Sequence, residues 1–350
     1  MNESDALSEV LRGVRLTGAI FLRAELSEPW GFQAPPAGDA SALLAPGTER
    51  LVPFHLVTEG KATVRVAGCE PVQLQAGEIV VLPRGDGHVL ASGAPVGLVD
   101  TSALLPAILE GSLLTERGGG GGPVTRFVCG YVGCDRQAEK LFLSGLPPVF
   151  KVRVRTDTSA AWIESAIRHL VLESEASGPG SGALRTKLAE ALFIETLRRQ
   201  MAQLRREDKG WLAAARDPAV GRALWSMHRE PTRPWTVAEL AKHAGVSRTV
   251  FARRFGDVLG QTPLAYLASW RLWLGATQLR SSDDSVIQVA LGVGYESEAA
   301  FNRAFKREFG LPPARYRKRE RPGSKTLRAE RSSRAGVRAA PRVRARRASS

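Results

Sequence analysis

The sequence predicts an α+β protein: an all-β first half, a helical segment, and an all-α end in which two helix-turn-helix units are joined by a linker helix. Three observations carry this expectation. Through the first 150 residues, short apolar stretches recur at close spacing between Gly, Pro and Asp, the pattern of a small β-sandwich or barrel. A long amphipathic stretch follows, and after it a set of aromatic, Gly and Pro positions recurs at an interval of fifty residues. Boundaries are expected at 1–150 for the β half, 151–206 for the helical segment, 207–317 for the double helix-turn-helix and 318–350 for a basic, disordered tail.

In chain order, a short helix is expected from about Asp5 to Val14, then strand texture from Arg15 to Glu25 running into Pro29-Trp30-Gly31. Further strands fall at Leu51 to Thr58, Ala62 to Val66, Ile79 to Leu82 and Val96 to Val99, and Gly118 to Gly122 reads as a flexible loop. Helical spacing takes over beyond Val149, from Ala160 to Glu173 and from Ala183 to Arg206. In the second of these, Leu184, Leu188, Ala191, Leu192, Met201 and Leu204 largely keep one face. Such a stripe covers either the β half or a second copy of the chain, and dimerisation through it is expected. The polar segment Arg205 to Lys209 reads as a linker.

The repeat pairs Phe251-Ala-Arg-Arg-Phe255, Gly260, Pro263 and Tyr266 with Phe301-Asn-Arg-Ala-Phe305, Gly310, Pro313 and Tyr316. Ahead of each Phe-x3-Phe helix lies another short helix ending at a glycine: Val237 to His243 before Gly245, and Val286 to Leu291 before Gly294. Two short helices around a tight glycine turn make a helix-turn-helix, and Thr236-Val-Ala-Glu239 supplies a capping box for the first. Aromatic residues four apart point into a small core, so the opposite stripe faces out. In the first copy that stripe is Thr249, Ala252, Arg253 and Gly256; in the second it is Glu298, Ala299, Asn302, Arg303 and Lys306. An exposed Arg or Asn on a helix that fits the major groove is equipped for bidentate reading of guanine or adenine. Ser247 and Ser297 open these helices, where free amides favour a phosphate. From Pro263 to about Arg280 a linker helix of about 27 Å is expected, close to one turn of DNA.

Residues 216–316 resemble the DNA-binding domain of the AraC/XylS family of transcription regulators. The resemblance is closest from Ala290-Leu-Gly-Val-Gly-Tyr-Glu-Ser297 through Phe301-x-Arg-x-Phe305, Phe309-Gly310, Pro313, Tyr316 and Arg317. It implies base reading by Thr249, Ala252 and Arg253, and by Glu298, Ala299, Asn302 and Arg303. Ala252 departs from the larger polar residue common there. The implied partners are promoter or operator DNA, RNA polymerase, a second copy of the chain as a homodimer, and an unidentified small-molecule or stress effector.

In the first half, Gly77-x5-Pro83-x-Gly85-x2-His88 resembles the second motif of the cupin superfamily of small β-barrels, and Gly47-x5-Pro53-x-His55-x3-Glu59 part of the first, with Pro53 where a histidine is usual. A cupin-like β-barrel of this kind is also found in one branch of AraC-like regulators. Two readings stand open here. His55, Glu59 and His88 could hold a divalent metal, or the barrel could be a metal-free organic-ligand pocket or packing scaffold.

The formal charge of +14 does not describe the fold: from Arg315 to Ser350 fourteen basic residues meet only Glu320 and Glu330, so all but two of the net positive charges lie there. That tail could clamp DNA through phosphates or do little. Three cysteines without a CxxC pair suggest neither a disulfide framework nor a classical zinc site, while Cys129 and Cys134 could be a thiol switch or inert. No basic signal-peptide start and no apolar run of membrane length is present, so a soluble cytoplasmic protein is expected. Against a regulator without catalytic activity stand two other classes, a metal-dependent cupin enzyme with an accessory DNA module and a nonspecific architectural protein.

Overall fold

The computed structural model describes residues 5–14, 16–38, 41–45, 48, 50–94, 97–109, 114–135, 139, 143, 145–154, 165 and 179–320. Apart from Ser165, the helix expected at Ala160 to Glu173 lies outside the described residues, as does the tail beyond residue 320.

Helix α1 (Ala6–Gly13) opens the chain, with the Asp5 carboxylate accepting from the Ser8 amide as its cap. Eleven strands follow among the described residues: β1 (Thr17–Ser27), β2 (Trp30–Ala34), β3 (Arg50–Glu59), β4 (Lys61–Val66), β5 (Val72–Gln75), β6 (Glu78–Val81), β7 (His88–Ser92), β8 (Val99–Asp100), β9 (Leu114–Gly119), β10 (Val124–Cys134) and β11 (Phe150–Arg153). Between them sit the short helices α2 (Ser41–Leu44) and α3 (Leu105–Leu109). The strands form two sheets, one of six in the order β11-β6-β3-β10-β1-β9 and one of five in the order β5-β4-β7-β2-β8. Leu22, Val57, Val80 and Phe127 from the first sheet pack against Trp30, Val64, Leu74 and Leu90 from the second, so the core lies between the sheets.

Most of the anticipated strands are present; Trp30, into which the first strand texture ran, opens a separate strand β2, and Val99 lies in the two-residue β8. The Gly118 to Gly122 run is not a free loop. Gly118 and Gly119 end β9, and the amides of Gly120 and Gly122 donate to the carbonyls of Ser27 and Glu28 at 2.9 Å. A Cβ at Gly120 would stand 2.2 Å from Pro29, so glycine is required by close approach.

The long helix α4 (Ser181–Gln203) lies on β1, where a Cβ at Gly18 would meet the Ala189 Cβ at 2.6 Å. Leu192, Phe193 and Leu197 are buried there within the protomer, Leu188 is half-buried, and Leu184 is exposed. Of the expected dimerisation stripe, Leu192 is therefore used within the protomer, and the other buried positions, Phe193 and Leu197, lie off that stripe.

Helices α5 (Trp211–Arg216), α6 (Pro218–Arg229), α7 (Val237–Ala244), α8 (Arg248–Leu259), α9 (Pro263–Ser281), α10 (Val286–Gly292), α11 (Glu298–Phe309) and α12 (Pro313–Glu320) complete the described chain. Compact packing divides the protein into one unit of Met1–Arg229 with Trp235–Leu264 and another of Glu230–Pro234 with Ala265–Ser350. This division does not coincide with a boundary at 207. The reason is visible at α1, which packs on α6 and α5 and whose Ala6 backbone is hydrogen-bonded to His228. The first helix-turn-helix belongs to the first unit and the second to the other.

Candidate functional site

The first reading element is α7, a turn at Gly245, and α8. The capping box is formed: the Glu239 amide donates to the Thr236 hydroxyl at 3.1 Å, and the Thr236 amide donates to the Glu239 carboxylate at 2.9 Å. Gly245 has φ 71°, the left-handed conformation that lets α7 stop and α8 begin at once. Phe251 and Phe255 are fully buried with ring centroids 5.6 Å apart, which fixes the roll of α8. Thr249, Ala252 and Arg253 are consequently exposed, and Gly256 is half-buried. The two adjacent arginines differ. Arg254 is tied to the Asp217 carboxylate at 2.6 Å, whereas Arg253 has no hydrogen bond or ion pair among the described residues.

The second element is α10, the turn at Gly294 (φ 90°), and α11. It has a capping box the sequence reading passed over, although Ser285-Val-Ile-Gln288 carries the signal: each residue's side chain accepts from the other's amide. Phe301 and Phe305 are fully buried, and Phe305 stacks on Phe309 at 4.2 Å and meets Tyr316 edge-on at 5.2 Å. Opposite them Ala299, Arg303 and Lys306 are exposed, while Glu298 and Asn302 are half-buried with the Asn302 amide 3.4 Å from the Glu298 carboxylate. Arg303, like Arg253, is free of partners among the described residues. Ser247 and Ser297 cap α8 and α11 by accepting from the amides of Val250 and Ala300, which leaves each hydroxyl proton available.

In the β half, His55 on β3 and His88 at the start of β7 come together across the two sheets, with their Nε2 atoms 2.7 Å apart. His55 Nδ1 lies 2.7 Å from the Cys129 sulfur, its cross-strand neighbour on β10, and His88 Nδ1 lies 3.0 Å from the Asp86 carbonyl. Burial pushes both imidazole pKa values down, most strongly at His55, and pushes the Cys129 and Cys134 thiols up. Low-pKa, exposed thiols are the reactive ones, so a thiolate switch at either cysteine finds no support.

Glu59 is not with the histidines. It pairs with Arg126, and a bulge between Val57 and Glu59 in the β3–β10 ladder turns it out of the alternation that His55 begins. The histidine nitrogens bond one another instead of converging on a point, and no cluster of three or more potential metal ligands occurs among the described residues. The arrangement does not fit a metal held by His55, Glu59 and His88. Cys129 was missed as a histidine partner because only strand pairing brings positions 55 and 129 together. Beside the histidines opens a cavity of about 140 Å³ walled by Phe21, Leu51, Pro53, Ile108 and Tyr131.

Residues 5–202 match the cupin family model and residues 240–319 a helix-turn-helix domain model. The chain is 36% identical over 271 residues to an AraC-like transcription regulator of Streptomyces lividans, covering 77% of this chain and 87% of that one. It is 32% identical to RclR of Escherichia coli, an RCS-specific transcriptional activator, over 91% of this chain and 98% of that one. With the transcriptional regulator AlkR of Acinetobacter baylyi it shares 30% identity over 89% of this chain and 99% of that one.

Proposed function

This chain belongs to the AraC-like family of DNA-binding transcription regulators, and we propose that it reads its operator through the outward faces of α8 and α11 in response to a small molecule or stress signal received by the β half. One observation carries the assignment of the reading faces: on both helices an arginine without a partner, Arg253 or Arg303, stands opposite a buried phenylalanine pair at the same position of the repeat. A guanidinium held to no neighbour is ready to take guanine O6 and N7 together. Thr249 and Ala252 on α8, and Glu298, Ala299 and Asn302 on α11, complete the two faces, while Ser247, Ser297 and Lys306 contact phosphate and set register.

The test is a random-site selection with the parent, Arg253→Ala and Arg303→Ala, alongside thermal melts. Each variant is expected to melt as the parent does and to lose about 1 to 3 kcal/mol of discrimination at its own base position. If both folded variants keep the parent's base preferences, the faces assigned to DNA are wrong.

RNA polymerase contact and homodimerisation complete the proposed cycle, the latter through the exposed end of α4 near Leu184. No described helix is long and apolar enough to cross a membrane, which fits work on DNA in the cytoplasm. Because the metal set is not assembled, no catalytic step is derived for the β half.

A further inference from the structure

The cavity beside His55 and His88 has an unusual polar end. The Asp86 carbonyl only accepts, so His88 Nδ1 carries the proton and, in a neutral ring, His88 Nε2 is an acceptor. His55 Nε2, 2.7 Å away, must then donate, and His55 Nδ1 accepts from the Cys129 thiol. Every donor in this chain of three side chains has one acceptor, and the whole array is uncharged. Within it, the Nε2 to Nε2 contact alone joins the six-stranded sheet to the five-stranded one. It also borders the cavity, since both rings line it.

We propose that this contact is the recognition point for a small neutral hydroxyl compound of phenol size, whose oxygen enters between the rings, accepting from His55 and donating to His88. The chemistry selects the class. A hydroxyl supplies a strong donor and a strong acceptor at a single atom, so insertion leaves no nitrogen unpaired. An ether or ketone would leave His88 Nε2 without a donor, and a buried orphan of that kind is costly. No residue lining the cavity carries a formal charge, so a carboxylate or an ammonium ion would find no counter-charge. The walls are apolar, with Phe21, Tyr131 and Pro53 presenting rings, and 140 Å³ is close to the volume of about 150 Å³ in which an engineered protein cavity holds benzene. A smaller space of about 40 Å³ that shares Phe21, Ala34 and both histidines gives the rings room to part. Replacing one hydrogen bond by two moves the nitrogens from 2.7 Å to roughly 4.5 Å apart, which separates β3 from β7 and converts binding into a change between the sheets.

This inference rests on the β half being a receiver of signals, and the experiment separates the two. Calorimetric titration of the full-length protein uses phenol and benzene as probes, with the parent, His55→Phe/His88→Phe and Ile108→Trp. Phenol is expected to bind the parent about tenfold more tightly than benzene, the value of the one net hydrogen bond gained when insertion replaces one bond by two. In His55→Phe/His88→Phe the two probes should bind alike, because both polar contacts are gone. Ile108→Trp, at a half-buried wall position, should weaken both while the protein melts as the parent does. Equal binding of phenol and benzene by the parent overturns the proposal, as does a phenol preference that survives in His55→Phe/His88→Phe, or near-stoichiometric metal in the purified protein that the His55→Phe/His88→Phe protein lacks. Operator affinity is measured with and without phenol. Selective phenol binding with unchanged operator affinity overturns the sensing role and leaves the site standing; a loss of selectivity with DNA binding intact overturns the site alone.

Discussion

The two helix-turn-helix copies are built on the same frame and equipped differently. Both have a capped first helix, a glycine turn and a fully buried phenylalanine pair on the second helix. Around that frame other positions diverge, among them these: Arg248 and Glu298 begin the second helices, Thr249 stands against Ala299, Ala252 against Asn302, Arg254 against Ala304, and Gly256 against Lys306. Arg254 is exposed and bonded to Asp217, whereas Ala304 is buried in the core that Phe305 and Tyr316 share. Duplication has kept the phenylalanine pair that closes each small core and one outward arginine, and varied most of what else faces outward. The first copy is left with one long polar reader, Arg253, and the second with Arg303, Asn302 and Glu298.

The frame should be the most sensitive part, and equally so in both copies. Phe255→Ala and Phe305→Ala are each expected to cost about 3 to 5 kcal/mol, the usual loss for an emptied ring site in a core. Denaturant unfolding of each variant measures this. A cost several-fold smaller in one copy would show that the repeat does not preserve the core.

The copies should separate in acid. His228, fully buried and stacked near Trp211, has its pKa pushed to about 3 by burial, while residues 244–320 contain no histidine. The unfolded chain binds a proton at this residue near pH 6.5 and the folded chain does not, so stability is complete above pH 6.5 and falls as pH drops toward 3. Between pH 7.5 and 5.5 His228 alone should remove about 1.4 kcal/mol from the unit that holds the first copy. His55 and His88 act in the same direction in that unit. Calorimetry at the two pH values, repeated on His228→Gln, checks the assignment. A parent melt independent of pH over this range would refute it.

The capping boxes offer a finer comparison, since Thr236→Ala and Ser285→Ala remove the same pair of hydrogen bonds. Each is expected to cost about 1 kcal/mol, read by thermal melts. A much larger loss at Thr236 would mean that its hydroxyl also supports the surrounding unit.

How much of this was readable in the sequence follows from what is local. The repeat, the glycine turns and the outward positions of Arg253 and Arg303 were legible because helical spacing and caps act over four residues or fewer. Strand pairing is not local. The His55 to Cys129 contact joins residues 74 apart, and the bulge that turns Glu59 toward Arg126 leaves no mark on a spacing pattern, so the His-x3-Glu motif pointed to a ligand set that is not assembled. The stripe read on α4 is only partly the packed face: of its six residues Leu192 alone is buried, while Ala189, Phe193 and Leu197 are buried in place of the others, and Gly18 on β1, which leaves space for Ala189, shows where the helix packs.

The smallest expected effect concerns the first residue of each reading helix and tests whether divergence there serves binding over stability. A carboxylate at a helix N-terminus is favourable by about 0.3 to 1 kcal/mol, and a guanidinium there is unfavourable by a similar amount. Glu298 thus supports α11, while Arg248 costs α8 something that only an external partner can return. Phosphate is that partner if Ser247 and the free amides of α8 face the backbone of DNA. Arg248→Glu should therefore stabilise the protein slightly, weaken binding to all sequences alike, and reduce the salt dependence by about one phosphate contact. Glu298→Arg should do the reverse, lowering the melting temperature slightly and steepening the salt dependence, with an added change in base preference because Asn302 loses its carboxylate neighbour at 3.4 Å. Titrations of operator and random DNA at several salt concentrations supply the readout. If Arg248→Glu alters neither affinity nor salt slope, the start of α8 does not lie against phosphate, and the cost of an arginine there has some other compensation.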